Sequence, residues 1–407
     1  MLRLLLLATC LLPFCFALGA GTVEPLKFLE NRVAKDPEDF IAWNQIASRR
    51  LQLFREKGDL ADLSAASHAT VQSLKAVPAS ENPGGLTAQV RVDLAGHRFG
   101  AAWVKAEQLR QLQPAKQLPL LLLSDALLEL GEYDSAAKLI FELVAEHGDG
   151  VDSESRKARL ALVRGENDPA MEHLTAALEY AKALGIPSPE TVAWCHVQIG
   201  ELRFRHGEWD AAGEHYDAAL VALPGYWAAQ DHVAELRGAQ GRIDEAVALY
   251  EQILAQTPRP ELQQALGDLY LFVRRGAEAR VWHERALAGY MASIEQGYVL
   301  YYHHLSGFFT DSQSDPKQAV AWAQKDLELR KGIAAHDALA WALYQDGQIS
   351  EAAEAVNRAL ATGAKDPHVL YHAGMIRMSA GDLKGGKAAL QQALQINPRT
   401  HTFHVHR

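Results

Sequence analysis

The sequence predicts an all-α protein, a solenoid of about nine stacked helix pairs, on three observations. Glycines recur 34 residues apart, at Gly131 and Gly165, Gly207 and Gly241, and Gly347 and Gly381. A second set of positions keeps the same register thirteen residues later, at Leu178, Leu220, Leu254, Leu287, Leu360 and Leu394. Between turn and leucine runs a small residue, then a large one four later, then a small or apolar position. Self-similarity at this period marks a stacked array, in which no unit buries its apolar stripe alone.

Each element has a physical reason. Steps of three and four put Ala212, Tyr216 and Ala219-Leu220 on one helical stripe. The same order recurs as Ala246, Tyr250, Ile253-Leu254; Ala279, His283, Ala286-Leu287; Ala352, Val356, Ala359-Leu360; and Gly386, Leu390, Ala393-Leu394. The glycine suits a left-handed turn between two antiparallel helices. The alanine marks the close helix approach, and Pro224, Pro258 and Pro398 stop second helices four residues past the leucine.

The pattern is sharp over residues 117–398 and looser over 21–116, where Trp43, Ala47 and Gly58-Asp59-Leu60 suggest one unit and Gly96, Ala101 and Leu109 another. Two units depart from it. Eight extra residues around Leu184–Pro189 imply a lengthened helix and loop, and Asp311–Pro316 replaces a turn. Residues 399–407 read as a short tail that caps or frays.

These residues resemble the tetratricopeptide repeat, best at Leu266-Gly267-Asp268-Leu269-Tyr270 followed by Ala279 and Leu287. Gly200, Ala234, Ala340 and Gly374 take the equivalent small site in other first helices. The resemblance implies a right-handed superhelix whose first helices line a concave groove for a peptide or a partner helix. Tyr302-His-His-Leu, Asp337-Ala-Leu-Ala-Trp-Ala-Leu and Tyr371-His-Ala-Gly-Met further resemble exported bacterial proteins of this family, over about residues 298 to 380.

Residues 1–20 form a separate object. Arg3 is followed by the apolar run Leu4–Ala17 and then by small residues at Gly19, Ala20 and Gly21. That is the layout of a cleavable signal peptide, an uncleaved anchor being the alternative, and it implies a periplasmic or secreted protein. Cys10 and Cys15 leave with it, so Cys195 remains alone and packing must hold the fold. No other apolar run reaches the length of a membrane span.

Loss of Arg3 takes the formal charge from −10 to −11, and no cluster of Lys and Arg offers a nucleic-acid footprint. Nucleophile elbows, phosphate-cradling loops, Cys-x-x-Cys pairs and His-Glu-x-x-His are missing, and the repeats leave no room for a catalytic domain. The expectation is therefore a binding scaffold of the cell envelope, with no enzyme activity and no cofactor.

Two site readings follow. Carrying the family geometry across unit by unit puts Tyr301, His304 and Phe308, then Asp337, Trp341 and Tyr344, then His368, Tyr371 and Met375 on the groove, with Asp231, Glu235, Gln264, Asp268 and Phe272 earlier. Aromatic rings with polar handles are the composition of binding hot spots. Trp341 packed between units is the competing placement. The second reading is a metal or small-ligand site among the 17 histidines, with His368 and His372 one helical turn apart. The spacing alone fixes no ligand geometry, so the expected site holds no metal.

Overall fold

The computed structural model describes residues 25–400 and 402–404, so the expected export segment lies outside the described residues. Among the described residues every regular element is helical. A single helix, Leu26–Lys35, precedes ten antiparallel pairs, one more than the count of about nine. The first five are Phe40–Lys57 with Leu60–Ala76, Pro83–Ala95 with Phe99–Leu112, Gln117–Glu129 with Tyr133–His147, Val151–Val163 with Asn167–Ala183, and Pro189–Arg205 with Trp209–Ala222. Next come Trp227–Ala239 with Ile243–Gln256 and Pro260–Phe272 with Gly276–Glu295. In the eighth, Tyr302–Gly307 runs into a π-helical turn, Phe308–Ser312, before Pro316–Leu329. Ile333–Gln345 with Ile349–Ala359 and Pro367–Ser379 with Leu383–Ile396 complete the series. Among the described residues no helix is long and apolar enough to cross a membrane.

The small and large positions of the repeat meet between the two helices of a pair. A Cβ on Gly200 would lie 2.5 Å from the Tyr216 ring, one on Gly267 2.2 Å from His283, and one on Gly374 2.5 Å from Leu390. The first helix offers a notch and the second fills it. Leu178 and Leu254 are buried, whereas Leu394 is 52% exposed, because no further pair covers the last helix.

The turns show which backbone the repeat requires. Gly58, Gly131, Gly165, Gly207, Gly241, Gly347 and Gly381 all have φ between 72° and 91°. In the second pair this left-handed position belongs to His97 (φ 58°), not to Gly96, whose φ is −87°. In the seventh pair it belongs to Arg274 (φ 63°). A side chain there costs about 1–3 kcal/mol, which surrounding contacts must offset.

At His97 those contacts come from a distant pair, because the stack coils and its next superhelical turn rests on the first. Tips of the first-turn hairpins meet the joints between second-turn pairs. Arg259 Nη1 donates to the Gly58 carbonyl at 2.8 Å, and Thr257 Oγ1 to Lys57 O at 3.0 Å. Ile333 N donates to Tyr133 Oη at 3.1 Å, Asn167 Nδ2 to Lys365 O at 3.4 Å, and Arg205 pairs with Asp366 at 3.6 Å. A Cβ on Gly165 would lie 2.2 Å from the Gly363 carbonyl. The seam thus runs from the first pair to the tenth.

Candidate binding face

The first helices bury polar side chains as well as apolar ones, among them Asp125, Gln198, Asp231, Glu235, Gln264, Asp337 and His372. Several of them are hydrogen-bonded along the inner side of the coil, whereas Gln198 has no side-chain partner among the described residues. Asp268 Oδ1 accepts from Ser312 Oγ at 2.7 Å and from His283 Nε2 at 2.8 Å. Tyr290 Oη donates to Gln264 Oε1 at 2.7 Å.

In the last two pairs the lining becomes aromatic. Asp337, Trp341 and Tyr344 recur at helical steps along Ile333–Gln345, and His368, Tyr371 and His372 lie on the neighbouring Pro367–Ser379. The Trp341 ring stacks on His372 (centroids 4.1 Å, planes 12° apart) and on Tyr344 (4.9 Å, 25°). His372 Nδ1 donates to Asp337 Oδ2 at 2.9 Å, which fixes the ring and turns Nε2 away as the free nitrogen. Neither His372 Nε2 nor His368 Nε2 has a hydrogen-bond partner among the described residues. The two rings are 4.2 Å apart. Burial, and then the neighbouring His372, hold the His368 pKa well below the ordinary histidine value, so it stays neutral. The Trp341 indole N–H is also without a partner among the described residues. Tyr371 stands at the edge, 39% exposed.

Asp337, His368 and His372 bring one ligand-type atom each to within 4.8 Å of one another. This is a donor set that could hold a divalent cation, which the spacing of the two histidines alone could not establish. Asp337 is already engaged by His372, and that bond accounts for its burial.

Tyr301 and Phe308 need correction. The sequence predicts them as rings of a groove strip, yet they are 1% and 0% exposed. The long helix Gly276–Glu295 brings Tyr290 against both, at 5.1 Å and 6.2 Å, and the π-helical turn rolls Phe308 onto His283. They belong to a core cluster with Leu305, Phe309 and Val356. His304 lies half-buried against Tyr290 and Tyr301. Trp341 is only 6% exposed and is held between two rings. The structure therefore brings Trp341, Tyr344, His368 and Asp337 together around His372, with Tyr371 beside them, and leaves Tyr301 and Phe308 in the core.

The tail is a second correction. Phe403 does not fray; it is 1% exposed, in the cluster of Leu266, Leu269 and Tyr270. Its Phe272 contact and the His404–Glu235 pair tie it to first helices far from the end of the repeat array. A single ring in a short, mostly polar stretch gives no periodic signal from which to read this.

A sequence model of the family described as "Tetratricopeptide repeat" matches residues 338–399. No curated protein matches the chain. Among solved structures, the human IFIT1 dimer with PPP-AAAA is similar at 16% identity and a TM-score of 0.44, covering 92% of this chain and 95% of its own. The yeast Tom70 crystal structure is similar at 12% identity and a TM-score of 0.40, covering 86% and 91%. The family match identifies residues 338–399 as tetratricopeptide repeat, and the same hairpin geometry, with its glycine turn and notch contact, recurs along the chain.

Proposed function

We propose that this protein is a non-catalytic scaffold that receives a segment of another protein on the inner side of its last pairs. The observation that carries the reading is the Tyr344–Trp341–His372 stack with its unpartnered indole N–H and imidazole nitrogens. Trp341 is covered on both faces and these polar atoms are buried, so a partner would enter beside Tyr371, the exposed ring at the edge, and aromatic rings with polar groups are the make-up of an interface hot spot. In this reading Trp341 is the central contact. Tyr344 and Tyr371 extend the apolar surface, and His368 with the Asp337–His372 pair fixes orientation. Tyr301 and Phe308 support the site from the core, and His304 lies between them and the lining.

The place of action is proposed to be the bacterial periplasm or the exterior, supported by Arg3 and the apolar run Leu4–Ala17. The test is retention of partners from an envelope extract by the full chain and by its Trp341→Phe form, followed by mass spectrometry. A partner retained by the first and lost by the second supports the site. Identical retention by both removes Trp341 from it.

A further inference from the structure

The segment after the last helix turns back into the coil. Asn397 Oδ1 accepts from Arg399 N at 2.8 Å, and Thr402 Oγ1 donates to Arg399 O at 2.8 Å. These two turns deliver Phe403 to a slot whose floor is Gly238. A Cβ at that glycine would lie 2.5 Å from Phe403 Cδ1. Leu269 and the Phe272 ring, 5.6 Å away at 50°, form the walls. The next residue meets a buried carboxylate. His404 Nδ1 pairs with Glu235 Oε1 at 2.9 Å, its ring meets the Phe204 ring edge at 5.6 Å, and His368 is 6.4 Å away. Glu235 is 5% exposed, and burial alone would raise its pKa. His404 and His232 outweigh burial and hold it well below the ordinary carboxylate range. Four first helices, Pro189–Arg205, Trp227–Ala239, Pro260–Phe272 and Pro367–Ser379, thus converge on two consecutive side chains.

We propose that this slot is a peptide-binding subsite that reads an aromatic side chain followed directly by a cationic one. Phe403–His404 occupies it in the resting molecule, and an unfolded segment of a partner protein with the same order of side chains displaces it. The inference deepens the scaffold reading by naming the chemistry of the segment received. Three features on the page select this occupant. The slot is wide enough for a ring only because residue 238 has no side chain. The carboxylate beside it is buried, with His232 on Oε2 and Oε1 turned to the slot, where it accepts from the occupant's second side chain. The described tail is held by side-chain contacts, Phe403 in the slot, His404 on Glu235 and Arg399 over the Trp209 ring, and adds no helix to the array, so it can exchange. A short tether places the tail near the slot at an effective concentration of about millimolar, so it competes strongly with free ligands.

The experiment uses two chains, the full one and one ending after Arg399, and a labelled synthetic peptide of residues 399–407. The peptide is expected to bind the shortened chain at least tenfold more tightly than the full chain. Phe403→Ala in the peptide, or Glu235→Gln in the shortened chain, should weaken binding at least tenfold. Gly238→Ala in the shortened chain should abolish it while leaving the helical circular dichroism intact, since alanine favours a helix over glycine. Equal binding to both chains, or none to a shortened chain that is folded, overturns the proposal. So does binding that Gly238→Ala leaves unchanged. If shortening unfolds the chain, Phe403→Ala in the full chain replaces it, with the same expectations. Failure here with Trp341-dependent partner retention intact removes this subsite alone. Loss of that retention removes the scaffold site whatever the peptide does.

Discussion

Arg330 Nη2 lies 2.9 Å from His97 Nδ1, joining residues 233 positions apart. A guanidinium can only donate, so Nδ1 accepts and the imidazole is neutral there. The other ring face packs on Phe99, over which Arg330 also sits. Asp326 bridges Arg330 and His303 from behind, so the seam carries a buried four-member relay.

That relay predicts an acid-labile seam. Burial, and then Arg330, hold the His97 pKa well below 6.5. The unfolded chain therefore binds a proton that the folded chain refuses, and stability present above pH 6.5 falls as the pH drops below it. Burial opposes ionisation of Asp326, but Arg330 and His303 outweigh it and hold its pKa at about 2, so it stays charged throughout. Thermal melting from pH 8 to pH 5 should show this loss. His97→Asn keeps an acceptor and tolerates the left-handed backbone, and should flatten the acid limb. An unchanged limb would assign it to His368 and other histidines.

Gly165 tests the seam by packing. Its φ is 72° and its Cβ position meets the Gly363 carbonyl at 2.2 Å, so Gly165→Ala meets both strain and a clash. A loss of about 2–4 kcal/mol is expected, from left-handed strain and overpacking together. Gly347, at φ 77° with nothing within 4 Å, is the control and should lose only the strain component. Equal losses would show that the turns do not touch in solution.

The repeat register is tested by Ala246→Leu and Leu254→Ala. Ala246 is fully buried at the helix contact, and overpacking it should cost about 1–3 kcal/mol. Leu254 is 8% exposed, and its truncation should cost about 2–5 kcal/mol. Leu394→Ala, at a half-exposed position, should stay within about 1 kcal/mol. Denaturant melts of the three variants decide the order.

Trp341 has two roles to separate. Trp341→Ala removes a ring stacked on both sides and should cost about 3–5 kcal/mol of stability. Trp341→Phe keeps a ring in the stack, loses the indole N–H, and should weaken partner binding by tenfold or more with a smaller melting change. Melting and binding on the same samples separate packing from recognition.

The repeat, its turn and its notch are legible in the sequence because they depend on steps of three, four and thirty-four along one chain. Tyr216 against Gly200 and His283 against Gly267 are such local pairs. The site was less legible. Tyr301 and Phe308 obey the same helical step as Trp341, and only the length of Gly276–Glu295 and the π-helical turn send them into the core. His97, Arg330, Phe403 and His404 act across a superhelical turn, a distance that no local period encodes.

The docking of one superhelical turn on the next changes the mechanics of the molecule. An open solenoid behaves as a compliant spring, with each repeat sensitive only to its neighbours. Here the coils touch, so the spring is coil-bound: it resists compression and can yield only by extension. Pulling on the two ends should first show a stiff regime while Arg259, Arg330 and Tyr133 hold the seam. A long soft extension should follow, in which the helix pairs separate in turn.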